Sequence, residues 1–395
     1  MTMTATKPAF RAPRPVDRFQ AMIVAQRAYA LAAQGREVFH MEFGQPSAGA
    51  PPAAIAAAHA MLDSDPLGYY ESAPLKARIA RHYAETQAVH VDPARIILTC
   101  GASPALVLAL NSAFHPGDRI AIARPGYVAY RNTVAALGME PVEIACGAEV
   151  GFQLTAAALA ALDPAPAGVI VASPANPTGT IIAPAELAAI AAVARAKGIR
   201  IVSDEIYHGI AYGLPTETIL RHAPEALVVN SFSKFWAMPG WRLGWLVAPD
   251  DLSDAAYARM SNLMLTPPTL SQRAALAAME SHAVLADYLE TYAGNRAALL
   301  AALPALGLGK IAPPDGAFYV WADVSHHIGP GAFADSIELA LTLLEDTGVA
   351  TAPGVDFDPV DGARFLRFSF AVSAEEVRKG IERMVPWFES APRVG

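Results

Sequence analysis

Seven short apolar runs, rich in β-branched residues, recur between about residues 95 and 248, and Ala/Leu-rich stretches with helical spacing separate them. The runs are RIILTC (95–100), RIAIARP (119–125), PVEIAC (141–146), GVIVAS (168–173), IRIVSDE (199–205), LVVNSFS (227–233) and RLGWLVA (242–248). Near-continuous apolar runs of this length suit strands covered on both faces, as in a parallel sheet flanked by helices. One intervening helix is predicted over 184–197, opening at Pro184 and stopping before Gly198. The alternation predicts an α/β fold: a large domain with a mainly parallel, mixed, seven-stranded sheet covered by helices. After about residue 285 the pattern changes to a helix, two strands in AFYVWADV and RFLRFSF, and a last helix from about 373, which reads as a smaller α+β domain. The predicted division is an N-terminal arm over 1–45 contributing to the small domain, a large domain over 46–285 and a small domain over 286–395.

Sheets of this kind bind ligands beyond the carboxyl ends of their strands. Polar and Gly-rich signals should therefore fall just after the runs. They do: GAS after the first, PGY after the second, SPANPTG after the fourth, DEIY at the fifth and SFSK at the sixth.

Composition narrows the field. A chain of 395 residues with 53% hydrophobic and 17% charged residues is globular, and longer than one core usually serves. A net charge of −8 argues against a nucleic-acid partner, which needs a basic face. Mean hydropathy is +0.29, yet Ala-rich stretches such as ELAAIAAVARAKGI are broken by Glu186, Arg195 and Lys197, so no membrane span is expected. The first residues carry Lys7, Arg11, Arg14 and Arg18 without an apolar stretch of signal-peptide type. With two well-separated cysteines, Cys100 and Cys146, and no metal-ligand spacing around either, the expected compartment is the cytoplasm and no metal is expected.

Taken singly, the candidate residues have ordinary explanations. Lys234 reads equally as a solvated lysine past a strand, Asp204 as a capping acid, Asn176-Pro177-Thr178-Gly179 as a turn, and Tyr127 as packing. Together they describe one ligand. Gly101-Ala102-Ser103 at a helix start offers backbone N–H groups to a phosphate. Tyr127 could stack on a flat heteroaromatic ring, Asp204 could pair with a protonated ring nitrogen, and Tyr207 and Asn176 could reach a ring oxygen. Lys234 could meet an aldehyde, and Arg242 follows it by eight residues after a Pro-Gly turn. A phosphate, an aromatic ring, a protonated nitrogen, a phenolic oxygen and an amine-reactive carbon describe pyridoxal 5′-phosphate (PLP).

Over nearly its whole length the chain resembles the class I/II aminotransferases of the aspartate aminotransferase superfamily, fold type I. The most specific element is SFSKFWAMPGWRLGW, in which the pattern S-x-S-K-…-G-x-R-x-G is intact. The resemblance implies that Lys234 forms the Schiff base with PLP and shuttles the proton, with Asp204 on the pyridine nitrogen and Tyr207 and Asn176 on the ring oxygen. It implies that Ser231 and Arg242 hold the phosphate, with Ser233 in the same cofactor loop, and that Tyr127 stacks on the ring. Arg367 in FLRFSF would grip the substrate α-carboxylate, and Gly44 in EFGQP would lie beside the substrate. After LGYYE the chain reads SAPLKA, about three residues shorter than the family pattern and with Lys76 in place of Arg. Tyr69 is assigned to the phosphate of a neighbouring subunit, with Tyr70 as the alternative. The implied activity is ping-pong transamination between an L-amino acid and a 2-oxo acid by a homodimer with active sites at its interface.

Two rivals bracket that expectation. A PLP-dependent C–S β-lyase would need the same lysine, aspartate and phosphate site. A non-catalytic module on the same fold would have no use for Lys234, and a nicotinamide dehydrogenase would need a G-x-G-x-x-G motif after an early strand.

Overall fold

The computed structural model describes residue 16 and residues 18–394; Lys7, Arg11 and Arg14 lie outside the described residues. Its strands in chain order are β1 (Phe39–Met41), β2 (Ile96–Thr99), β3 (Arg119–Arg124), β4 (Glu140–Ala145), β5 (Gly168–Ala172), β6 (Arg200–Asp204), β7 (Leu227–Ser231), β8 (Gly244–Val247), β9 (Tyr319–Asp323), β10 (Val349–Pro353) and β11 (Phe365–Ser369).

Strands β2 to β8 form one seven-stranded sheet in the order β2-β8-β7-β6-β5-β3-β4. Every strand is parallel to the others except β8, which pairs antiparallel with both β2 and β7. The fold is the mixed, mainly parallel α/β sheet expected from the apolar runs. Strands β2, β7 and β8 are buried at every position, because helices cover both faces. One run departs from that pattern. β4 lies at the sheet edge and is half exposed, which lets Glu140 and Glu143 sit within it. Two cores flank the sheet, one holding Ile96, Leu98, Val169, Val171 and Trp245, the other Ile97, Ile120, Ile122, Val202 and Leu246. These alternate along each strand, as the twofold side-chain period requires.

A second sheet has the order β1-β10-β11-β9, with β1 parallel to β10 and the other pairs antiparallel. Its core joins Phe39 and Met41 of β1, Val24, Ala28 and Leu31 of the helix Ala21–Ala33, and Leu343, Leu366 and Phe368. The long helix His282–Ala302 ties the two halves, giving Leu285 to one core and Tyr292 and Leu299 to the other. Among the described residues no helix is long and apolar enough to cross a membrane.

The strands other than β8 place their carboxyl ends on one edge, and loops after β2, β3, β5, β6 and β7 meet there. The chain entering this edge over residues 67–72 is held in large part by one side chain. Gln272, fully buried, accepts from the Ser72 N–H (2.9 Å) and donates to the carbonyls of Tyr70 and Pro267 (2.8 Å each). Gln272→Leu strands buried backbone groups and is expected to lower the unfolding free energy by about 1–3 kcal/mol. Urea denaturation reads this directly, and an unchanged midpoint would show that the pin contributes nothing.

Candidate active site

β6 ends at Asp204, whose carboxylate is buried at the sheet edge and accepts from the Tyr130 hydroxyl (2.7 Å) and the Ile206 N–H (3.1 Å). Burial disfavours the charged form and raises its pKa, while these two donors oppose the shift. β7 ends three residues before Lys234, whose Nζ donates to the Gly44 carbonyl. Burial, then the nearby Arg367 charge, brings the Lys234 ammonium down to about 8, although Asp204 pulls the other way. Neither shift has the sign expected of a tight ion pair. Loss of water outweighs the attraction between the two groups.

The helix Ala102–Ala113 begins at the end of β2 with no side chain capping it. Its cap, Gly101, has φ of 107°, which favours glycine, and a Cβ there would stand 2.5 Å from Arg242 Nη2. The Arg242 guanidinium is therefore drawn tight over a helix N-terminus. It donates to the carbonyls of Pro239 and Cys100 (3.0 Å each) and, among the described residues, forms no ion pair. A free first turn and an arginine without a counter-ion make an anion site, and Ala102 and Ser103 line it. A phosphate fits this donor set.

Arg367, on β11, faces the same cleft from the second sheet. Its Nη1 donates to Asn176 Oδ1 (2.8 Å), its Nη2 donates to the Glu42 carbonyl, and its buried Nε has no protein partner. Tyr319 and Phe357 flank the guanidinium, with ring centroids 4.5 and 4.6 Å from Cζ. Because Asn176 spends its oxygen on Arg367, its amide N–H₂ remains to donate to a ligand. The Tyr207 hydroxyl meets that of Tyr319 at 2.6 Å. Tyr127 lines the cleft edge-on to Tyr130 (5.4 Å, 90°).

The cleft is about 360 Å³. It brings together Gly44, Ala102, Ser103, Tyr127, Asn176, Asp204, Tyr207, Ser233, Lys234, Arg242 and Arg367 of the residues predicted from sequence. Gly101 backs it without lining it. Ser231 lies beneath, fully buried, its hydroxyl accepting from the Ser233 N–H (3.1 Å). Tyr69 is 84% exposed and outside the cleft, and Tyr70 lies outside it too, packed under the Arg273 guanidinium (4.1 Å).

Among the lining residues that sequence reasoning did not pick out are Tyr130, Tyr319, Asp356 and Phe357. Tyr130 carried a usable signal, since it follows Tyr127 by three positions at the start of the helix Val128–Ala136. Asp356 caps the helix Ala21–Ala33 from 335 residues away, accepting from the N–H groups of Gln20 (2.7 Å) and Ala21 (2.8 Å). No local pattern announces a cap of that range.

Residues 36–384 match the family described as aminotransferase class I and II. The chain belongs to this family. It is 45% identical over 361 residues, 90% of this chain and 92% of the other, to a valine–pyruvate aminotransferase of Mycobacterium tuberculosis. A crystal structure of an aminotransferase from Mycobacterium tuberculosis superposes with a TM-score of 0.93 at 43% identity, covering 97% of this chain and 100% of that one. The aspartate aminotransferase of Thermus thermophilus with maleate superposes with a TM-score of 0.87 at 31% identity, covering 94% and 97%. The protein is thus an aminotransferase, moving an amino group from an amino acid to a 2-oxo acid.

In this aminotransferase the Tyr130 hydroxyl favours the ionised form of Asp204. Tyr130→Phe removes that donor and raises the Asp204 pKa further. Activity should then be lost at a higher pH on the acid side of the kcat/KM profile, with a loss on the order of 10-fold at neutral pH, as for a hydrogen bond to a charged group. A profile that keeps its acid limb in place would remove Tyr130 from the site's electrostatics.

Proposed function

We propose that the chain is a PLP-dependent aminotransferase acting by a ping-pong mechanism on donors with small apolar side chains, of the valine class, with a small monocarboxylic 2-oxo acid such as pyruvate as acceptor. The observation that carries the substrate reading is the charge inventory of the cleft. Its described cations are Lys234, Arg242 and Arg367, each already matched to an aldehyde, a phosphate and one carboxylate. No fourth cation lines it among the described residues. The wall also includes apolar Phe19, Ala21, Met22, Leu106 and Phe357, the amide residue Gln45, and the acidic residues Glu42 and Asp356. A second substrate carboxylate would lose its water without gaining a counter-charge. The 45% identical valine–pyruvate aminotransferase supports the same substrates.

When bound, PLP supplies an amine-reactive aldehyde and a ring that accepts electrons from the substrate's Cα. The first-turn N–H groups of Ala102 and Ser103, with Arg242, would hold its phosphate, and Ser231 and Ser233 would shape the loop beneath. Asp204 would keep a proton on the ring nitrogen, Tyr207 and Asn176 would donate to the ring oxygen, and Tyr127 would cover one ring face. Arg367, which lines the cleft, would grip the substrate α-carboxylate and so orient the Cα bonds relative to Lys234. A lysine with pKa of about 8 is neutral in roughly a tenth of molecules at pH 7, far more than an ordinary lysine. Its neutral Nζ would be the amine that holds the cofactor's aldehyde, with loss of water, and when free it would take the proton from the substrate Cα.

The proposal extends to a cytoplasmic homodimer. Tyr69, on the exposed surface, would reach the partner's phosphate site. It sits with exposed Leu67 and Tyr257 on segments joined by Thr269 Oγ1 to the Gly68 carbonyl (2.7 Å) and by Tyr257 to Glu71 (2.9 Å). Free Cys100 and Cys146 fit a reducing compartment.

A donor and acceptor panel tests the substrate reading. Valine with pyruvate should exceed aspartate with 2-oxoglutarate in kcat/KM by on the order of 100-fold. Equal or better turnover of the dicarboxylates would contradict it. Turnover of an amino acid with no acceptor present would favour β-elimination over transamination.

A further inference from the structure

Tyr319 belongs to the second sheet yet lines the cleft, fully buried. Its hydroxyl is 2.6 Å from that of Tyr207, and its ring carries the Arg367 guanidinium at 4.5 Å. A Cβ on Gly44 would stand 1.8 Å from the Tyr319 hydroxyl, so residue 44 has no side chain because that hydroxyl occupies the space. The Gly44 carbonyl in turn accepts from Lys234. One side chain thus touches the neighbours of every charged group on the substrate side.

Resting on the PLP reading above, we propose that Tyr319 is a positioning residue with two separable tasks: its hydroxyl orients and strengthens the Tyr207 phenol as a donor to the ring oxygen, and its ring holds Arg367 for the substrate carboxylate. The first task follows from counting protons. Each phenol has one hydrogen, and Tyr207 can donate it to a ligand oxygen only if the Tyr319 hydroxyl is the donor in the bond between them. A donor that itself accepts a hydrogen bond is polarised and donates more strongly. The second task is a cation–π contact in a water-poor site, where such contacts are strongest. The charged and titratable groups around the two phenols are Asp204, Lys234, Arg367, Tyr127 and Tyr130. Burial raises both phenols, so each stays protonated at neutral pH.

Tyr319→Phe separates the tasks from each other and from folding, because it keeps the ring and removes one oxygen. The readout is the pH titration of the visible absorbance of the PLP-loaded protein, together with steady-state constants. With a weaker donor at the ring oxygen, that oxygen carries more negative charge and holds the neighbouring proton more tightly. The absorbance midpoint should therefore rise by about 0.5–1 pH unit, and kcat should fall by roughly 3- to 10-fold, with donor KM within about 2-fold. Tyr319→Leu removes the ring as well and should add a rise in donor KM on the order of 10-fold. A Tyr319→Phe protein with wild-type midpoint and kcat would overturn the hydroxyl's role, and a Tyr319→Leu protein with wild-type KM would overturn the ring's. A wild-type protein that shows no visible band with PLP would instead refute the cofactor reading on which this inference stands.

Discussion

Asp204 and Lys234 at the edge of one sheet and Arg367 on a strand of the other are three ionisable groups largely withdrawn from water in one cleft, and the surrounding structure is arranged to tolerate that. A buried charge is costly unless hydrogen bonds or counter-charges replace its solvent. Here the replacement is deliberately incomplete. Asp204 receives a phenol and one backbone N–H, Lys234 one carbonyl, and Arg367 a side-chain amide oxygen and a carbonyl, with its Nε left over. Each group keeps capacity that a cofactor or substrate can fill, and burial of Lys234 is what brings its amine near neutrality. A wetter site would restore an ordinary lysine and lose the nucleophile.

The constraint also explains why two sheets are needed. Asp204, Lys234 and Asn176 stand on the large sheet's carboxyl edge, where parallel strands and a helix N-terminus concentrate polar ends. Arg367 and Tyr319 come from β11 and β9 of the other sheet, and Gly44 from the segment after β1. The Arg367–Asn176 bond (2.8 Å) and the Tyr207–Tyr319 contact (2.6 Å) cross the seam between the two. Both crossings lie in the cleft that Asn176, Tyr207, Tyr319 and Arg367 line together.

Much of this was legible in the sequence because it is local. Strand ends carry their loop chemistry beside them, so GAS, SPANPTG, DEIY and SFSK were visible as a set, and the spacing from Lys234 to Arg242 survives in one short turn. Features set by packing between distant segments were not legible. Tyr319 lies in a strand buried on both faces, where alternation says nothing about which side meets a ligand. Asp356 caps a helix more than 300 residues away. Ser231 and Ser233 show the limit at finer scale: their spacing marks a loop, but only the folded turn shows Ser231 spending its hydroxyl on the backbone while Ser233 lines the cleft. Between Tyr69 and Tyr70 the fold adds one physical distinction, since Arg273 covers Tyr70 and leaves Tyr69 exposed.

Under the proposed function, the desolvated amine of Lys234 is the group that would bond to the cofactor. Borohydride reduction of the protein after incubation with PLP, followed by digestion and peptide mass spectrometry, addresses it without any assay of turnover. The expected result is one pyridoxyl-phosphate group per chain, on the peptide containing Lys234, and its absence from that peptide when substrate amine has first displaced the lysine. Label on a different lysine, or no reducible linkage at all, would contradict it.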